Sequence, residues 1–179
     1  MRHEILLSGF GGQGIILSSV ILGRAAAIYD LKHVIQTQVY GPEARGGASM
    51  GGVIIDDEPI HYPKLRRPDI YLIMSQEGFE RYGAKAEAGA VMVLDSDLVQ
   101  SRPGCRYFEV PATSVAKKEL GKVIVANIVM LGALVRATGV VSEGAIERAT
   151  LESVPKGTEE LNLKALKRGR ELIIMGGEG

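Results

Sequence analysis

The sequence is short of most of what a self-sufficient redox protein needs. Of 179 residues only one is cysteine, Cys105. An iron–sulfur cluster usually takes four thiolates, and a structural zinc site takes several Cys or His ligands. Neither is expected in this chain. A lone thiol forms no internal disulfide, which suits a reducing compartment. There is no tryptophan and aromatics make up 5%, which argues against the base-stacking platforms of single-strand binders. Basic and acidic residues number 21 each, for a formal net charge of zero, so the basic footprint of a nucleic-acid binder is missing. Long apolar runs are missing too: the longest, Ile128 to Val135, is eight residues, well under the roughly 18 of a membrane span. Arg2 and the apolar stretch after it imitate a signal peptide, but the glycine cluster with Gln13 interrupts it. A cytoplasmic protein without membrane or nucleic-acid partners is expected. With 46% hydrophobic and 23% charged residues, residues 1–179 are expected to form one domain around one core.

Glycine is what the sequence has. Ile5-Leu6-Leu7 reads as a short buried strand, and Gly9, Gly11, Gly12 and Gly14 follow it at once. An apolar, Ala-rich helix pattern then runs from Ile15 to Tyr29. Strand, glycine turn and helix open an α/β nucleotide-binding unit, in which the helix start offers free N–H groups and a positive dipole end to an anion. Gly9, Gly11 and Gly14 keep the G-x-G-x-x-G spacing. A dinucleotide site also wants an acid at the end of the second strand. That strand, Val34 to Val39, ends on Gln38, Val39 and Tyr40, and Asp30 comes too early.

Further strands are expected at Met50 to Ile55, Asp69 to Met74, Ala90 to Asp95 and Arg106 to Val110. Pro59 to Tyr62 is read as the return arm of a hairpin turning at Asp56-Asp57-Glu58. Helices are expected over Gln76 to Tyr82, from Pro111-Ala112-Thr113 to Leu120, from an Asn127 cap to about Ala137, from Ser142, and from Thr158. The resulting fold class is α/β: a doubly wound, mostly parallel sheet with helices on both faces, an added β-hairpin and a helical C-terminal part. Ile128 to Val135 is apolar all round and should be buried on most sides, partners included.

A second glycine loop, Gly41-Pro42-Glu43-Ala44-Arg45-Gly46-Gly47, would follow strand two at the sheet edge where open α/β folds bind ligands. Arg45 suits an oxyanion because its planar fork donates two hydrogen bonds. It can equally pair with Glu43 or touch a partner. The candidate anion-binding set is therefore Gly9, Gly11, Gly12, Gln13, Gly14, Arg45, Gly46 and Gly47. No catalytic or metal-binding set emerges. His3, His33 and His61 are scattered, Ser8 and Ser49 lack a base, and Asp56-Asp57-Glu58 reads as a turn. Asp95-Ser96-Asp97 fits either a ligand contact or a helix cap. The basic segments 64–67 and 164–170 read as solvated faces.

Gly9-Phe10-Gly11-Gly12-Gln13-Gly14-Ile15 together with Tyr40 to Ser49 resembles the gamma subunit of the 2-oxoacid:ferredoxin oxidoreductases. Met74-Ser75-Gln76-Glu77, Val110-Pro111-Ala112-Thr113 and Ala126-Asn127 extend the resemblance to about residue 150. The two loops look most like the 2-oxoglutarate branch. The resemblance implies oxidative decarboxylation of a 2-oxoacid on thiamine diphosphate. Electrons pass through iron–sulfur clusters to ferredoxin, and coenzyme A takes the acyl group. It places thiamine and clusters on the alpha, beta and delta subunits, and has the gamma chain help enclose coenzyme A. The isolated chain is expected to be a dimer. Two other readings stand: the small subunit of indolepyruvate:ferredoxin oxidoreductase, and an autonomous Rossmann-type dinucleotide-binding protein.

Overall fold

The structure, a computed structural model, describes residues 1–39 and 47–178. Strand β1 (His3–Phe10) leads into α1 (Ile15–Arg24), which widens into one π turn over Ala25–Tyr29. Then come β2 (His33–Val39), β3 (Ala48–Asp56), β4 (Ile70–Ile73), α2 (Gln76–Arg81), β5 (Val91–Asp95), β6 (Arg106–Val110) and α3 (Ala112–Lys118). Helices α4 (Ala126–Thr138), α5 (Glu143–Ser153) and α6 (Glu159–Leu172) precede a last strand, β7 (Ile174–Gly177). The seven strands form one sheet in the order β2-β3-β1-β4-β5-β6-β7. β1, β2, β4, β5 and β6 run one way, β3 and β7 the other.

Continuous apolar runs such as Ile5-Leu6-Leu7 mark central strands, because both faces are covered. On one face Ile5, Leu7 and Leu72 pack with residues of α1 and α3 to α6. On the other Leu6, Tyr71, Ile73 and Met92 pack with Phe79 of α2 and with Cys105. The doubly wound, mostly parallel expectation is met, with unequal layers.

Three expectations are corrected. Pro59 to Tyr62 forms no strand; the hairpin is made upstream, by β2 against β3. Pro59 and Pro63 bracket that stretch and bring no N–H to a ladder, while Gln36, Thr37 and Gln38 offer β3 a full register against Val53, Gly52 and Gly51. The chain does not end on helices: Ile174–Gly177 adds β7 to the sheet, where Gly176 and Gly177 lie against the Tyr107 ring. Helix α4 is indeed buried throughout Ala126 to Val135, but this chain's own helices cover it, so it is no partner surface.

Candidate functional site

The β1–α1 loop lies at the carboxyl edge of the sheet. Gly9 and Phe10 pair with Ser49 and Ala48 of β3, so β3 begins beside the glycine loop. Ser49 Oγ donates to the Gly9 carbonyl at 3.1 Å, and Ser8 Oγ to the Ser49 carbonyl at 2.9 Å. These bonds occupy both hydroxyls structurally.

Gln13 closes the loop on itself. Its Oε1 accepts from the Phe10 N–H at 2.6 Å and its Nε2 donates to the Met74 carbonyl at 3.1 Å. A Cβ on Gly9 would stand 2.4 Å from Gln13 Oε1, so a larger residue there would push that amide off the Phe10 N–H. Gly14 has φ +76°, and a Cβ there would meet Asn127 Nδ2 at 2.4 Å. Gly12 has φ +89° and open space around it. Gly11 has open space too and no unusual φ, so nothing inside the chain requires glycine there. Helix α1 begins after Gly14 with no side-chain cap and no acid in its first turn. Its free first-turn N–H groups, beside two unobstructed glycines, can accept an anion.

Asn127 is not the cap of α4. It lies within that helix, and its Nδ2 donates to the Gly14 carbonyl at 3.1 Å. The side chain fastens the start of α1 to the buried helix. The Met74 to Glu77 segment is a second brace. Ser75 Oγ caps α2 by accepting from Gly78 N–H at 3.0 Å, and Glu77 Oε1 accepts from Ala48 N–H at 3.2 Å. The start of β3 is thus held from α2.

Asp95 sits at the end of β5, fully buried. Burial pushes its carboxyl up to about 6, against opposing hydrogen bonds from Thr113 Oγ1 at 2.6 Å and Asp97 N–H at 3.1 Å. Asp97 in turn accepts from Ser114 N–H at 2.6 Å. Both carboxylates tie β5 to the first turn of α3, Asp97 through the Ser114 N–H and Asp95 through the Thr113 hydroxyl, while the N-cap position itself is Pro111. Asp30, the early acid, accepts from Ser142 at the start of α5.

Arg45 and Gly46 lie outside the described residues; Gly47 directly precedes β3. His3 pairs with Asp69 at 2.7 Å. In the basic segments, Arg67 approaches Glu87 at 3.8 Å, while Lys164, Lys167, Arg168 and Arg170 pair with glutamates of α6 and its neighbours. Lys64, Arg66, Arg67, Lys164 and Lys167 are exposed, whereas Arg168 and Arg170 are half-buried in their ion pairs. No group of three or more His, Cys, Asp or Glu side chains that could hold a metal occurs among the described residues. No helix among them is long and apolar enough to cross a membrane.

Sequence reasoning missed the apolar rim of this loop. Phe10, Leu17, Val123 and Ile124 are all substantially exposed. A cavity of about 260 Å³ lies among Phe10, Gly12, Gln13, Thr113, Val123 and Ile124. A second, of about 210 Å³, opens on the other side of Gly14. The available signal was Val123-Ile124-Val125, an apolar triplet between two helices with no strand to join.

Known proteins match this arrangement. The family model for pyruvate ferredoxin/flavodoxin oxidoreductase matches residues 4–172. The chain is 53% identical over 176 residues to 2-oxoglutarate synthase subunit KorC of Methanocaldococcus jannaschii, covering 96% of this chain and 94% of that one. It superposes on the gamma subunit of a keto/oxoacid ferredoxin oxidoreductase from Geobacter sulfurreducens with TM-score 0.87 and 46% identity, over 96% of each chain. The fold also recurs in 2-oxoglutarate:ferredoxin oxidoreductase from Magnetococcus marinus, solved with 2-oxoglutarate, coenzyme A and succinyl-CoA bound. There the TM-score is 0.78 at 22% identity, over 95% of this chain and 30% of that one.

Proposed function

The chain belongs to the pyruvate ferredoxin/flavodoxin oxidoreductase family, as a subunit of a 2-oxoacid:ferredoxin oxidoreductase, and from that premise we propose that it is the gamma subunit of an enzyme acting on 2-oxoglutarate. The overall reaction converts 2-oxoglutarate, coenzyme A and oxidised ferredoxin to succinyl-CoA, carbon dioxide and reduced ferredoxin. The observation that carries the substrate assignment is the 53% identity, along nearly the whole chain, to a 2-oxoglutarate synthase subunit.

Within the complex, alpha, beta and delta subunits carry the thiamine diphosphate and the clusters, and this chain helps enclose coenzyme A. The donor set fits a pyrophosphate. Gly11 and Gly12 are unobstructed, the first turn of α1 carries no acid, and β3 begins beside the loop, where Ala48 pairs with Phe10; Arg45, Gly46 and Gly47 directly precede Ala48 in the sequence. Gly9 and Gly14 let the loop close, and Gln13 holds it rigid without spending its amide on a ligand. Coenzyme A, when bound, supplies the thiol that accepts the acyl group. This chain's residues position the phosphates and keep that end of the cofactor in place.

An autonomous dinucleotide site finds less support. Strand β3 runs antiparallel between β1 and β2, so the tip of β2 stands two strands away from the glycine loop. A ribose-binding acid there would be out of place as well as absent.

The test is reconstitution with the other subunits of the complex, followed by ferredoxin reduction with a panel of 2-oxoacids. 2-Oxoglutarate should be preferred by at least tenfold in kcat/KM. Preference for indolepyruvate or pyruvate would move the chain to another branch. Tight binding of NAD(P) by the chain alone would favour the dinucleotide reading.

A further inference from the structure

Strand β2 forms one edge of the sheet, and among the described residues nothing pairs with its outer side. Proteins usually blunt such an edge with charge, proline, a bulge or brevity. The opposite edge follows that habit: β7 has four residues, and its register with β6 shifts between Tyr107 and Phe108. Strand β2 does not. Its seven residues, His33 to Val39, include no Lys, Arg, Asp, Glu or Pro, and they match β3 without a shift from end to end. Its outward N–H and C=O groups are a template for another strand. The flank is apolar as well. A shallow groove of about 260 Å³ lies beside β2 among Val20, Ala27, Ile28, Val34 and Gln36. Ile28, 50% exposed, sits on the π turn, a kind of irregularity frequent at functional sites. Leu31, 83% exposed, stands two residues before the strand with φ +54°. Leucine rarely adopts that backbone, and its side chain gains nothing there from standing in water.

We propose that β2 is the contact surface for a second copy of this chain, the two strands pairing antiparallel about a two-fold axis at Gln36. Such a dimer sets one patch against itself, and this strand suits that use. About the axis Val34 faces Gln38 of the other copy, Ile35 faces Thr37, and Gln36 faces itself, so no like charges stand opposite each other. The zero formal net charge adds no long-range repulsion between copies. Gln36 Nε2 donates to Ser19 Oγ at 2.9 Å, and Gln36 Oε1 has no donor among the described residues, so it can accept across the axis. The two grooves adjoin, and Ile28 is covered on both copies. Helix α4, buried within its own chain, offers no such surface. The contact is independent of the ligand held at the glycine loop.

Sedimentation velocity of the whole chain provides the test. Wild type should be a dimer at micromolar concentration. Gln36→Glu sets two carboxylates opposite each other at the axis and should raise the dissociation constant roughly tenfold or more at neutral pH. Gln36→Lys should do the same, and an equal mixture of the two variants should recover the dimer, because the charges then oppose in sign. A mixture that stays monomeric overturns the pairing about Gln36. If either variant melts as an unfolded protein, Ile28→Glu, at an exposed site, is read for dissociation in its place. A monomeric wild type overturns the proposal, and so does a Gln36→Glu or Ile28→Glu dimer of wild-type affinity. If the chain alone is monomeric and Ile28→Glu prevents its assembly with the other subunits, the edge takes one of them and the second copy is ruled out.

Discussion

Gly132 of α4 and Gly169 of α6 let the two helices cross backbone to backbone. A Cβ on Gly132 would stand 2.1 Å from the Leu166 carbonyl oxygen, and one on Gly169 would stand 1.8 Å from that of Val129. Helix α6 is thereby pressed onto α4, which is buried from Ala126 to Val135. The crossing lies about one turn from Asn127, whose side chain holds the carbonyl of Gly14. A packing contact between two glycines thus helps set the geometry of the anion loop.

Gly169→Ala should therefore be costly. The obstacle is backbone, which cannot rotate away, so the change belongs at the upper end of overpacking, about 3 kcal/mol. At about 2–4 °C per kcal/mol for a chain of this size, the melting temperature should fall by roughly 6–12 °C. Gly144→Ala, in α5 with nothing within 4 Å of the added atom, should be neutral or gain up to about 1 kcal/mol. Equal melting temperatures for the two variants would contradict the crossing.

Asp95 predicts a pH dependence with a definite sign. Burial raises its folded pKa from 3.8 to about 6, so the folded state holds the proton more tightly than the unfolded chain does. Its contribution should favour folding below about pH 4, decline as pH rises through 6, and level off above 7. A shift of about two units corresponds to roughly 3 kcal/mol. Asp95→Asn keeps the shape, and the Thr113 hydroxyl can turn to accept. The variant should lose this slope and exceed wild type at pH 8 in denaturant melts. A parallel pH profile would refute it.

Purified alone, the chain should be colourless, without stoichiometric iron, sulfide or thiamine diphosphate. Its one thiol, Cys105, is fully buried and pushed above the usual thiol range by that burial, so it is a poor ligand as well as a solitary one. An iron-dependent visible spectrum in the isolated chain would overturn the placement of the clusters on other subunits.

The loop was legible in the sequence because its information is local. Glycine spacing, the apolar strand before it and the helix after it lie within about twenty residues. The parallel strands β4 and β5 were legible for the same reason, each an apolar run closed by a turn. What failed was pairing. Val34 to Val39 reads as a strand either way, and only its ladder with β3 shows that it forms the hairpin expected downstream at Asp57. Asn127 looked like a cap because capping is the local habit of asparagine; its bond to Gly14, 113 residues away, has no local trace.

Arg45 carries the last prediction. It lies outside the described residues, so the case rests on its place in the chain between β2 and β3, with Gly46 and Gly47 after it and the start of β3 held beside Phe10. If its guanidinium grips a phosphate of coenzyme A, Arg45→Ala should remove charge-assisted hydrogen bonds worth about 1.5–3 kcal/mol, raising the KM for coenzyme A roughly ten- to a hundredfold. Reduction of the clusters by the 2-oxoacid before coenzyme A enters should lose less than twofold. If Arg45 instead fastens this chain to its neighbours, both half-reactions should decline together and the subunit should separate on gel filtration. Arg45→Lys divides the two further. A lysine keeps the charge but not the planar fork, so a phosphate grip should recover in part, whereas a bidentate pair with a partner carboxylate should recover least. An intact Arg45→Ala complex whose coenzyme A dependence matches wild type would remove Arg45 from the site.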